Sequence, residues 1–146
     1  MKDFIDLFSG AGGLSLGLES AGLRCAAAVE LNADACASFA LQHRDAKIHD
    51  YPIQELNFAR YQGIPLMVGG PPCQPFSAGG KGLASSDARD MIPEFVRAVR
   101  EARPTVFLME NVPGLVGPTH RSYLGAVVGR ALSIGLPGFI RCHECS

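Results

Sequence analysis

Short, almost wholly apolar runs alternate along this chain with stretches of helical periodicity, and that alternation limits the folds open to it more than any other feature. Phe4-Ile5-Asp6-Leu7-Phe8, Cys25 to Val29, Ala46 to His49, Leu66 to Val68 and Thr105 to Met109 read as strands. Leu14 to Ala21, Ala33 to His43, Ile92 to Ala102 and Ser122 to Ile134 read as helices. Leu14, Leu18 and Ala21 share one face of the first helix. Ala33, Cys36, Ala37 and Ala40 of the second are expected to face inward, behind Asn32 as N-cap. Pro93 is tolerated in the first turn of the third. Strands that lack polar alternation are buried on both faces. Joined through helices, they form an α/β fold with a mostly parallel sheet and helices on both sides.

The residues at the end of each strand narrow the function. After the first strand comes Ser9-Gly10-Ala11-Gly12-Gly13, after the second Glu30, after the third Asp50, after the fourth Cys73, and after the fifth Glu110-Asn111. Ligands of open parallel sheets bind outside the carboxyl ends of the strands. A glycine loop, three carboxylates and a thiol therefore converge on one crevice. Gly10, Gly12 and Gly13 permit a tight turn and close approach of a ligand at a helix N-terminus. Glu30 stands at the spacing where an acid takes ribose hydroxyls. A dinucleotide fingerprint would place a third glycine at position 15, which is Ser15. This points to a nucleoside-like cofactor and counts against the rival reading, a nicotinamide-dependent oxidoreductase. Pro71 and Pro72 remove two backbone donors and favour extended geometry before them, so Cys73 is presented on a stiff loop.

The 146 residues suffice for one domain with a real core. A net charge of −1 announces no nucleic-acid partner by bulk charge. No apolar segment could span a bilayer, and the first residues hold too short an apolar run for a signal peptide. A cytoplasmic location with reduced cysteines is therefore expected. Cys142-His143-Glu144-Cys145 lacks a second Cys/His pair at metal spacing, so no metal is expected and the segment reads as a frayed tail.

Asp6-Leu7-Phe8-Ser9-Gly10-Ala11-Gly12-Gly13, then Gly70-Pro71-Pro72-Cys73-Gln74-Pro75-Phe76-Ser77, then Glu110-Asn111-Val112 resemble the first, fourth and sixth motifs of the cytosine-C5 DNA methyltransferases, in order and spacing. The resemblance runs from about Phe4 to about Gly135. It implies a Rossmann-like fold and S-adenosylmethionine as cofactor. It also implies methyl transfer to carbon 5 of a cytosine flipped out of DNA. By the same resemblance Cys73 is the nucleophile, Glu110 the acid near N3, Asn111 the holder of its loop, and Arg89 a flanking catalytic residue. Phe8 would pack on the adenine, and Leu31 would cover its other face. Glu30 would take the ribose hydroxyls, and Asp50 the adenine amino group with Tyr51 beside it. Ser9, Gly10, Gly12, Gly13, Pro71 and Ile92 would complete the cofactor pocket. Gln74, Ser77 and Lys81 would face the DNA backbone.

Residues 1–135 read as the N-terminal part of a catalytic domain, and 136–146 as a divergent tail. A Gln-x-Arg-x-Arg motif, a target-recognition region and a last cofactor motif are expected of the family and have no counterpart in this sequence. The chain is thus expected to be one part of a split enzyme, completed by a second chain, or a remnant that at most binds cofactor. A relative acting on tRNA would carry the same motifs. Target sequence and any restriction partner are not legible.

Overall fold

The computed structural model describes residues 2–72, 90–111, 121–132 and 138–142. Six strands, β1 (Asp3–Leu7), β2 (Arg24–Val29), β3 (Lys47–His49), β4 (Leu66–Gly69), β5 (Val106–Asn111) and β6 (Gly138–Cys142), form one sheet. Their order is β3-β2-β1-β4-β5-β6, and every pairing is parallel. This is the doubly wound order of Rossmann-like folds, and the direction of winding reverses between β1 and β4. The helices are α1 (Gly13–Ser20), α2 (Ala33–Gln42), α3 (Ile92–Ala102) and α4 (Arg121–Leu132).

The central strands β1, β2 and β4 bury residues on both faces, which is why they do not alternate apolar with polar. Phe4, Cys25, Ala28 and Val68 point to one side, against Phe39 of α2 and Leu14 and Leu18 of α1. Ile5, Leu7, Val29, Met67 and Phe107 point to the other, against Phe95 and Val99 of α3 and Val127 of α4. The Asn32 side chain accepts the Ala35 N–H at 2.9 Å and starts α2. In α3, Pro93 stands in the first turn, and Ile92, Phe95, Val96, Ala98, Val99 and Ala102 make the buried face. Among the described residues, no helix is long and apolar enough to cross a membrane.

The expected strands and helices stand within a residue or two of the predicted bounds, and three elements were not expected. Between β3 and β4, the 3-10 turns Ile53–Glu55 and Phe58–Tyr61 bury Ile53, Leu56 and Phe58. Their apolar residues are too few to show a helical period. The third lies in the divergent tail, where Gly138, Phe139 and Ile140 pair with Phe107, Leu108 and Met109 as an added parallel strand. The free edge of β5 supplies the hydrogen bonds that recruit it, and no local signal in five residues could. Residues 143–146, with the remainder of the Cys-His-Glu-Cys run, lie outside the described residues. The inward face of α2 is also corrected: Phe39, the largest apolar side chain of the helix, is buried, and Ala33, Ala37 and Ala40 are exposed.

β1 and β4 approach so closely at their carboxyl ends that a Cβ on Gly69 would lie 2.3 Å from the Leu7 carbonyl oxygen. That neighbour is backbone in the centre of the sheet and cannot move aside. Gly69→Ala is expected to destabilise the fold by about 2 kcal/mol or more. Urea unfolding of the two proteins checks this, and equal midpoints would show that the strands have slack.

Candidate functional site

The site forms where β1 and β4 part. Phe8 leaves β1 in the left-handed region, at φ 58, a conformation costly for a bulky side chain and common at functional turns. Its ring enters a cleft of 320 Å³ whose walls include Glu30, Leu31, Tyr51, Gly70 and Pro72. The glycine turn comes next, with Gly10 at φ 56 and Gly12 at φ 93. Gly12 is the N-cap of α1.

Glu30 binds the first two loops together. One carboxylate oxygen accepts the Gly10 N–H at 2.9 Å and the other the Asn32 N–H at 2.8 Å. Each oxygen keeps a further lone pair for a ligand. The Ser9 hydroxyl oxygen is buried and has no hydrogen-bond partner among the described residues.

On the opposite wall the Tyr51 hydroxyl meets His49 Nδ1 at 2.7 Å, and the Tyr61 hydroxyl meets Nε2 at 2.6 Å. Burial, aided by Lys47 and Arg60, pushes the His49 pKa down. The ring therefore stays neutral near pH 7, accepting from one tyrosine and donating to the other. Arg97 on α3 holds this wall in place. Its guanidinium donates to the Ile53 carbonyl at 2.7 Å and the Leu56 carbonyl at 3.1 Å, and it lies over the Phe58 ring.

Parallel pairing of β4 with β5 brings the fourth and fifth strand ends side by side. Asn111 is buried and donates from Nδ2 to the Pro71 carbonyl at 3.1 Å. Glu110 is exposed, and its carboxylate lies over Gly70, where an added Cβ would stand 3.0 Å from Oε2. The Met91 N–H donates to the Pro72 carbonyl at 3.3 Å, so the chain at 91 returns to where it left at 72. Cys73, Gln74, Ser77, Lys81 and Arg89 lie outside the described residues.

The structure thus gathers Phe8, Glu30, Leu31 and Tyr51 at one cleft, with Glu110 at its edge over Gly70. Asp50 succeeds β3 but is exposed and does not line the cleft. Ile92 is wholly buried in the core, and its neighbour Met91 lines the cleft instead. Gly12 and Gly13 shape the turn without lining it. Pro71 is buried behind Pro72.

Comparison with known proteins decides the family. The C-5 cytosine-specific DNA methylase model matches residues 2–135. The chain belongs to that family. A relative in this family, the Type II methyltransferase M.NgoMIV of Neisseria gonorrhoeae, is 35% identical over 134 residues, covering 92% of this chain and 43% of the relative. M.AquIA of Picosynechococcus sp., also a Type II methyltransferase, is 39% identical over 139 residues, covering 89% of this chain and 56% of the relative. The chain therefore spans about half the length of these relatives. A solved structure from E. coli, described as a prophage-encoded DNA modification methyltransferase, superposes with a TM-score of 0.71 at 33% identity. It is matched over 92% of this chain and 37% of its own.

Sequence reasoning passed over the polar groups under the turn. Asp6 is buried in β1 and accepts the Ser15 hydroxyl at 2.6 Å. Ser15, the departure from a dinucleotide fingerprint, is therefore a bond between α1 and β1. Burial pushes the Asp6 pKa up from 3.8 to about 6, against the Ser15 hydrogen bond and the field of His43, with Glu30 adding to the rise. The folded chain thus binds this proton more tightly than the unfolded one. The contribution to stability is full below about pH 4 and lost as pH rises towards 6. Relative to wild type, Asp6→Asn should gain stability between pH 4 and 7, by up to about 3 kcal/mol at about 1.4 kcal/mol per pH unit. Urea titrations at both pH values measure the gain, and parallel pH profiles would refute it.

Proposed function

We propose that this chain carries the cofactor-binding and catalytic part of an enzyme that methylates carbon 5 of cytosine in DNA. One observation carries the reading above the rest. In a chain of this family, a nucleoside-sized cleft bounded by Phe8, Glu30 and Tyr51 adjoins the paired strand ends that present Glu110 and lead into Cys73.

The cleft suits S-adenosylmethionine. Phe8, Leu31 and Tyr51 offer apolar walls for a flat base, Glu30 has acceptor capacity for ribose hydroxyls, and the buried Ser9 hydroxyl lacks a partner among the described residues. The cofactor supplies the methyl group.

Carbon 5 of cytosine is a weak nucleophile. A Cys73 thiolate adding to C6 converts the ring to an enamine with electron density at C5. Negative charge then builds towards N3, where Glu110 would stabilise it. Once C5 carries the methyl group, loss of the C5 proton to solvent and departure of the Cys73 sulfur as a thiolate restore the aromatic ring. Asn111 holds the Pro71 carbonyl and so fixes where the loop to Cys73 begins. Arg89 would flank the reacting base, and Gln74, Ser77 and Lys81 would meet the phosphates. The base must leave the duplex to reach the thiol. Gripping DNA would fall largely to protein beyond this half of the relatives' length, supplied by a second chain or segment.

Loss of the Glu30 carboxylate should weaken binding of S-adenosylhomocysteine roughly tenfold or more, since hydrogen bonds to charged groups are worth about 1.5–3 kcal/mol. Calorimetric titration of Glu30→Ala beside Glu30→Gln measures this, and wild-type affinity in both would remove Glu30 from the site. Cys73→Ser should abolish transfer of labelled methyl groups to DNA by a complemented assembly and leave S-adenosylhomocysteine binding intact. Full turnover by that variant would end the covalent mechanism.

A further inference from the structure

Beneath the glycine turn, on the sheet face covered by α1 and α2, lies a single buried imidazole. His43 caps the C-terminus of α2, and its ring stacks on Phe39 with centroids 4.1 Å apart. Nδ1 lies 2.7 Å from Glu19 Oε2, and Nε2 lies 3.2 Å from the Gly12 carbonyl oxygen. Both partners are acceptors. A neutral imidazole has one N–H and one bare lone pair, so it would serve one partner and turn a lone pair on the other. The ring is the link between Glu19 on α1 and the glycine turn.

Neither partner is free to turn away. The second oxygen of Glu19 accepts the Cys25 N–H at 3.3 Å. The Gly12 carbonyl also takes the Leu16 N–H at 2.8 Å, the first hydrogen bond of α1. A Cβ on Gly12 would stand 2.5 Å from His43 Nε2, so turn and ring are in direct contact.

We infer that His43 is a positioning residue: bridging Glu19 and the Gly12 carbonyl, it fixes that carbonyl and thereby the glycine turn that borders the nucleoside cleft. The consequence for cofactor affinity rests on the function proposed above. The hold of the ring on the turn does not. Burial raises the pKa of Asp6 on β1, with His43 acting against the rise. The Cys25 thiol is pushed up to about 12 by burial and stays neutral. Glu30 holds the turn through the Gly10 N–H, and Arg44 and Asp45 are exposed. Glu19 is thus the carboxylate hydrogen-bonded to the ring. Without the ring nitrogens the turn loses one anchor.

The test follows the Gly12 carbonyl and the Gly13 amide by NMR in the ligand-free 146-residue chain, with S-adenosylhomocysteine affinity measured by calorimetry. His43→Phe keeps the stack on Phe39 but has no ring nitrogen. It should shift the turn resonances and bind roughly tenfold more weakly. His43→Gln restores an N–H and should recover the affinity at least in part. Glu19→Ala removes the other partner of the ring and should move the same resonances even if His43→Phe fails to fold. Turn resonances unchanged in these variants overturn the inference. Wild-type affinity in a folded His43→Phe overturns the positioning role. A responsive turn with no S-adenosylhomocysteine binding by the wild-type chain supports the clamp and defeats the cofactor reading instead.

Discussion

Leu7 and Gly69 run side by side where β1 meets β4, at a separation that leaves no room for a side chain on residue 69. Sheet winding reverses at this pair, so the loops that leave the two strands turn to opposite faces and open a crevice between them. The Phe8 turn, the glycine loop and the Gly70-Pro71-Pro72 exit all begin within three residues of that contact. Glu110 and Asn111 arrive beside it because β5 pairs in parallel with β4. A wider spacing would separate the cleft from the carboxyl ends of β4 and β5.

The turn is supported from two sides by different forces. From the cleft side, Glu30 accepts N–H groups from both flanking loops. From the helix side, Asp6 with Ser15 and His43 with Glu19 fill what is otherwise an apolar layer. Polar groups in such a layer carry a desolvation cost unless each is paired. Here each of these pairings joins the turn or α1 to a neighbouring element, so the cost is offset by bonds that set the shape of the turn.

The second wall of the cleft rests on α3 rather than on the sheet. The segment from 51 to 61 has two short 3-10 turns and little regular hydrogen bonding of its own. Arg97 takes two of its carbonyls and Glu101 accepts the Phe58 N–H at 3.0 Å. His49 ties Tyr51 to Tyr61 across the same segment. Tyr51 therefore reaches the cleft from a wall whose geometry is fixed by a helix that begins at 92.

The strands, the helices and the order of chemical groups at the strand ends were legible in the sequence, because each is encoded locally. A buried strand needs a run of apolar residues, a tight turn needs glycine, and a helix needs its periodic face and a cap such as Asn32. The acid at 30 could be placed by position alone, since a parallel sheet puts every strand end on one side. Tertiary structure decided what distant partners decide. His43 meets Gly12 from 31 residues away, and Arg97 meets Ile53 from 44. Before folding, His43 is one more helix-terminal polar residue and Arg97 one more cation on an amphipathic helix. β6 exists because β5 offers an edge, and Met91 rather than Ile92 faces the cleft because α3 turns Ile92 into the core. Periodicity reports which residues prefer burial; which polar atoms meet there depends on the packing of whole elements.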